Sequence, residues 1–317
     1  MSKPTILVIL ALVIVVGGGA LLYANFSSGQ DLDEQAQALL TQVTTEQAKQ
    51  TPDAAVCRRL LAEIRAHPQR KADPGMVRGE AWLHLALGST QDALRTLEPN
   101  LQLDATPADH ALGVQILRRR HAESGAADQA FRASVFAQEH YAATGAAESL
   151  FDAWQMAVRG EDREGLQRGE QLAKDLVQGH GATTLGRLVA ILDASGYPDM
   201  QEDEGDEVLD EEQLRVLESE FEDPPAELDL ALAWIEISGA TPQSISAGER
   251  RLDLVLSRFP SSLTAKLLRA VVDHRFRRFP EAKERLNWLI DQHPEHRRSV
   301  VWKKMLERVE ADSIKKL

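Results

Sequence analysis

"LTAKLLRAVVDHRFRRFPEAKERLNWLIDQHP" runs from Leu263 to Pro294. It closes on "LIDQHP", where Pro294 stops a helix because it has no amide hydrogen to donate. "VLSRFP" ends the same way at Pro260, 34 residues earlier, and "EIRAHP" at Pro68. Before each proline, apolar residues recur at three- and four-residue spacing, the period that lines one face of an α-helix. Val56, Leu60, Leu61 and Ile64 are one set; Leu252, Val255, Leu256 and Phe259 are another. Strand signals are missing, because no sustained alternation of β-branched and aromatic residues occurs and there is no Asn-Gly hairpin. Only 5% of residues are aromatic against 43% hydrophobic, a balance that suits Ala- and Leu-rich helices. The fold class predicted is all-α.

The helices come in pairs at a regular interval. Gly88, Gly125, Gly160 and Gly196 each follow an apolar helical stretch, at spacings of 37, 35 and 36. A glycine just past a helix end is the usual left-handed cap. Five positions further on stand Ala93, Ala130 and Gly165, small residues that let two antiparallel helices approach closely. In the opening stretch, Ala282 lies twelve residues before Pro294. These features resemble the tetratricopeptide repeat family, whose 34-residue unit is two antiparallel helices with a small residue at the crossing and a proline after the second. "GEAWLHLALGSTQDALRTLEP", with Gly88, Ala93 and Pro99, is a looser match. The first-helix signature of Trp, Leu-Gly and Tyr is mostly absent, and Gly165 stands where the family carries Ala. The resemblance implies a right-handed α-solenoid of about seven helix pairs between Asp31 and His293, with a last helix over Arg297–Val309. Such arrays stack pair on pair and leave a concave groove. The resemblance implies that peptides or partner helices bind there.

The first thirty residues carry a different signal. Thr5 to Ala24 is a twenty-residue run without charge. At about 1.5 Å per residue it would span about 30 Å, the hydrocarbon thickness of a bilayer. Lys3 precedes it, and Asp31, Asp33 and Glu34 are the first charges after it. That asymmetry puts residues 1–4 in the cytoplasm and the body outside it, tethered by 25–30. The expected location is a bacterial-type inner membrane, with the body periplasmic. A cleaved signal peptide with Gly18-Gly19-Ala20 as its small-residue site is the competing reading.

Charge is concentrated. The net charge is −13, and residues 199–223 hold thirteen acidic side chains and one basic one, Arg215, so the other 292 residues sum to about −1. The acidic stretch at about 197–225 interrupts the repeat rhythm between Gly196 and the next helix, "AELDLALAWIEISG" (Ala226–Gly239). Leu209, Leu214, Val216, Leu217 and Phe221 give its second half an amphipathic helical pattern. As a calcium loop with Gly205 at the turn, it puts Glu202, Glu204 and Glu211 at ligand positions but Met200 at the first, where a hard cation needs oxygen. Three uses remain: a solvated insertion, a docking segment for a basic partner, or a segment paired with the chain's own basic end. Residues 264–317 supply that contrast, with fourteen Lys/Arg and eight Asp/Glu. The candidate docking residues are Glu202, Asp203, Glu204, Asp206, Glu207, Asp210, Glu211 and Glu212.

Catalytic motifs are largely absent: no phosphate-binding Gly-rich loop ending in Lys-Ser/Thr, no nucleophile elbow, no His-Glu-x-x-His. "GHGATTLG" (Gly179–Gly186) reads as a turn opening a helix over Thr183–Ala194. His293 and His296 are kept off a common helix face by Pro294. Cys57 is the only cysteine, excluding an internal disulfide, and reads as a small buried hydrophobe. The five tryptophans read as core, with room for one to line a groove. No cofactor, metal or nucleic-acid partner is expected. The reading is a non-enzymatic, membrane-anchored scaffold for protein partners at the cell envelope. An all-helical enzyme or small-molecule binder using the acidic carboxylates with His180 is the second reading, and a cleaved, secreted repeat protein the third.

Overall fold

The computed structural model describes residues 34–197, 209–239 and 241–314. Among them are fifteen α-helices and no strand. The predicted membrane segment Thr5–Ala24 lies outside the described residues, and no described helix is long and apolar enough to cross a membrane. The chain divides into two compact units: the residues up to Arg119 with Ala142–Thr144, and Arg120–Tyr141 with Gly145–Leu317.

The first unit holds α1 (Glu34–Gln47), α2 (Ala54–Ala66), α3 (Pro74–Ala86), α4 (Thr90–Leu103) and most of α5 (Pro107–Ser124). Its core joins Leu39, Leu40 and Val43 of α1 to Cys57, Leu60 and Ile64 of α2, and to Met76 and Leu83 of α3. Cys57 is buried as predicted, and burial raises its thiol pKa. α3 is buried from Gly75 to Leu85, which leaves charged groups inside. They are paired, as buried charges must be. Arg78 meets Asp109 at 3.0 Å. Glu80 is gripped by Arg65 at 3.0 Å and Arg70 at 2.5 Å. Burial alone would raise the Glu80 pKa, but hydrogen bonds from His84, Arg70 and Arg65 outweigh it and hold it at about 2.

One prediction is corrected here. Pro99 was expected past the end of its helix, yet α4 continues to Leu103. The final turn is tied down from its side: Asn100 Nδ2 donates to Pro74 O at 3.0 Å and to Asp109 Oδ1 at 2.9 Å. Those bonds offset the one backbone donor that proline removes.

The second unit holds α6 (Ala127–Thr144) as far as Tyr141, then α7 (Ala147–Arg159), α8 (Arg163–His180), α9 (Thr184–Ala194), α10 (Glu211–Glu220), α11 (Ala226–Ser238), α12 (Pro242–Arg258), α13 (Leu263–Arg275), α14 (Phe279–Gln292) and α15 (Ser299–Ile314). Successive helices pack as hairpins, α7 on α8, α11 on α12 and α13 on α14. Leu230, Ile237, Leu252, Val255, Leu268 and Val272 form one core cluster. Leu286, Leu289, Trp302 and Val309 form the next. Pro260 and Pro294 each fall two residues past a helix end. Thr183 caps α9, its hydroxyl accepting from Gly186 N at 3.0 Å.

Three hairpins share one connection: three residues, the middle one left-handed. In α3–α4 it is Gly88, with φ 80°. In α13–α14 it is Arg277, with φ 58°. In α7–α8 the expectation fails in an instructive way. Gly160 is right-handed, with φ −63°, and the next residue, Glu161, carries φ 53°. Gly125 and Gly196 are left-handed as predicted. The crossing residues Ala93, Ala130 and Ala282 are fully buried, and so is Gly165. A methyl at Gly165 would sit 2.6 Å from Ala157 O, so the alanine usual in the resembled family does not fit there.

Candidate functional site

Several long-range contacts of the second unit converge on the α7–α8 turn. Glu161 is 6% exposed. Its Oε1 accepts from Thr264 Oγ1 of α13 at 2.9 Å, across 103 residues of sequence. Its Oε2 accepts from Arg298 Nη2, just before α15, across 137 residues. Arg298 Nη2 also donates to Thr264 Oγ1 at 2.9 Å, closing a triangle of buried groups. Arg297 Nε donates to the Glu161 carbonyl at 3.3 Å. Nearby, Ser261 Oγ donates to His121 O at 2.9 Å. A left-handed conformation costs a residue with a side chain about 1–2 kcal/mol. Here the turn is held by partners from two other helices, the circumstance in which strained backbone persists.

Beside this network lies a largely enclosed cavity of about 40 Å³, lined by Arg159, Glu161, Tyr197, Glu227 and Thr264 among others. Glu227 is fully buried and takes hydrogen bonds from Gln155 and from Arg159 Nε, the latter at 2.6 Å. The Arg159 guanidinium lies 4.0 Å from the centroid of the Phe259 ring. Burial pushes the Tyr197 hydroxyl pKa well up, and Glu227 pushes it further. At about 10–15 Å³ per molecule, the cavity has room for a few waters and none for a peptide. Ion pairs and buried hydrogen bonds surround the cavity.

The surface of α13 and α14 offers a site of another kind. Trp288 is 40% exposed, and Lys266 Nζ lies 3.7 Å from its ring centroid. With Glu281, Glu284 and Arg285 they line an open groove of about 310 Å³. Burial lowers the Lys266 pKa. The edge of His293 packs against the same indole, with centroids 5.7 Å apart. Trp82, Trp154 and Trp302 are core residues. Trp288 instead lines the open surface groove on α13 and α14.

Of the predicted docking residues, Glu202, Asp203, Glu204, Asp206 and Glu207 lie outside the described residues. Asp210 caps α10 by accepting from Gln213 N at 3.0 Å, and Glu211 and Glu212 are exposed on its first turn. α10 is amphipathic as predicted, with Leu209, Leu214 and Leu217 buried, although Val216 faces solvent. Its later carboxylates pair with the body. Glu218 meets Arg251 at 2.7 Å, Asp223 meets Arg258 at 3.2 Å, and Glu220 meets Arg187. The basic partners thus come from α9 and α12, not from 264–317. Arg251 and Arg258 also hold the buried Asp229 of α11, at 3.1 and 2.6 Å. His180, proposed as an active-site partner for these acids, has Nε2 3.2 Å from Tyr141 Oη. Among the described residues, no three His, Cys, Asp or Glu side chains gather as a metal-binding group.

What the arrangement does chemically follows from who holds whom. The buried acids and bases satisfy one another and fix helix positions, while the groove leaves part of the Trp288 indole exposed beside Glu281 and Glu284. No family model matches the chain, and no curated protein matches it.

Proposed function

We propose that this protein is a membrane-anchored, tetratricopeptide-like scaffold that binds other proteins at the cell envelope. Thr5–Ala24 anchors it, the N-terminus lies in the cytoplasm, and the helical body works outside it as a right-handed solenoid of degenerate repeats. The shared three-residue turns and the buried small residues at the helix crossings support the repeat reading. One observation carries the binding reading: an exposed tryptophan, Trp288, in an open groove of about 310 Å³. Indole and guanidinium side chains are enriched at interface hot spots.

The test is crosslinking and pull-down with the full-length chain. Trp288→Ala is expected to weaken capture of a specific partner by about tenfold or more, the size of a hot-spot truncation. Partner recovery equal to wild type would remove the groove from the proposal. A second reading is favoured by the exposed carboxylates Asp210, Glu211 and Glu212 at the start of α10: a basic partner docking on the acidic segment. Deleting 202–212 separates the two, because it leaves the Trp288 groove intact.

A further inference from the structure

The loop between α14 and α15 carries a histidine placed where acid undoes it. The neutral imidazole of His296 has one free lone pair. Its Nδ1 accepts from the backbone N–H of Arg298 at 3.2 Å, so that lone pair is in use. The ring hydrogen is then on Nε2, which sits 3.5 Å from Glu161 Oε2. The ring stacks on Trp302 of α15, with centroids 4.8 Å apart and planes 9° from parallel. An added proton has one place to go, Nδ1, where it would meet the Arg298 N–H head on. Protonation therefore breaks the hydrogen bond that positions Arg298, the residue whose side chain grips Glu161.

We propose that His296 makes the docking of the α14–α15 loop onto the α7–α8 turn an acid-sensitive latch: the neutral ring holds Arg298 against Glu161, and the protonated ring lets the loop go, while α15 stays packed on α14. The charged groups facing His296 agree with this direction. From its own segment come Arg297 and Arg298, and from the end of α14 comes His293, all opposing a second positive charge. Glu161, from the α7–α8 turn, alone favours it. Trp302 contributes an uncharged face. Lys266 of α13 reaches His293 electrostatically and lowers its pKa further, after burial. Burial is the largest influence on His296, and with the neighbouring cations it outweighs Glu161 and pulls the pKa from 6.5 down to about 4. The released segment, with an ordinary imidazole, takes the proton first. Docking is therefore at full strength above pH 6.5 and weakens as the pH falls toward 4.

The experiment is amide hydrogen exchange of 296–302 in the full-length chain at pH 7 and pH 4.5, corrected for the intrinsic pH dependence of exchange. His296→Asn is the comparison, because its Oδ1 can accept from Arg298 N–H and does not titrate. Wild type is expected to lose protection by about tenfold or more and the variant by less than about twofold. Equal loss in both, or no loss in wild type, overturns the latch. Should the variant fail to fold, the His296 ring is titrated by NMR in wild type. A midpoint below pH 6 that coincides with shifts in 296–302 upholds the proposal, and a midpoint at or above 6 overturns it.

Discussion

The α3–α4 and α7–α8 connections have the same length and the same left-handed middle position, but Gly88 fills one and Glu161 the other. At Gly88 nothing but backbone geometry is required; a methyl group added there would have nothing nearer than Arg119 Nη2 at 3.7 Å. At Glu161 the backbone is strained and the side chain is committed to Thr264 and Arg298. One turn is solved locally. The other is solved by helices 103 and 137 residues away. The contrast separates a residue chosen for its conformation from one kept in spite of it.

The sharpest break of this comparison is Glu161→Ala. It leaves Arg298 buried without its carboxylate, so urea denaturation is expected to show a loss of about 3–5 kcal/mol. Glu161→Gly relieves the strained backbone and is expected to recover about 1–2 kcal/mol of that loss. A glycine variant as stable as wild type would show that the side chain is dispensable and the two turns equivalent.

The second test uses acid, since each unit holds a buried carboxylate network. Glu80 has a folded pKa of about 2 against an ordinary 4.5, so its contribution is complete above pH 4.5 and is lost as the pH falls through 2. That contribution is about 2–3 kcal/mol. The His296 latch gives way earlier, between 6.5 and 4. Exchange or proteolysis mapped at pH 5 is expected to open 296–302 while α3 stays protected. Simultaneous opening would erase the distinction.

Two smaller effects follow. Gly165→Ala pushes a methyl against Ala157 O and is expected to cost about 1–3 kcal/mol by thermal or chemical unfolding. Gly88→Ala meets no neighbour and pays only for its φ of 80°, about 1 kcal/mol in the same assay.

The sequence reading succeeded where the cause was local. Gly88, Gly125 and Gly196 announce left-handed caps because glycine alone adopts them freely. Ala93 and Ala282, small residues in apolar helical patterns, are buried as their volume suggests. It failed where distant chain decided. Glu161 hid behind Gly160 because its conformation is imposed from Thr264 and Arg298. Pro99 misled because Asn100 is tied to Pro74 and Asp109. The acidic stretch left three uses open, because overall charge does not specify which arginines stand within reach; for its described carboxylates Glu218, Glu220 and Asp223 those are Arg251, Arg187 and Arg258. Trp288 has the spacing of a core residue; only the packing of α13 and α14 leaves it uncovered.

The 137-residue separation between Glu161 and Arg298 also has a consequence in time. The hairpins close over short loops and can form as soon as their own residues are available. The Glu161 network cannot: it waits for Thr264 and then for Arg298, 103 and 137 residues further along the chain. Until then the α7–α8 turn carries an unpaired acid, and its left-handed backbone has nothing to hold it. The segment around Arg298 therefore completes a turn that left the ribosome 137 residues before it. A nascent body ending before Arg298 keeps its hairpins and lacks the contact that ties the two ends of the second unit together.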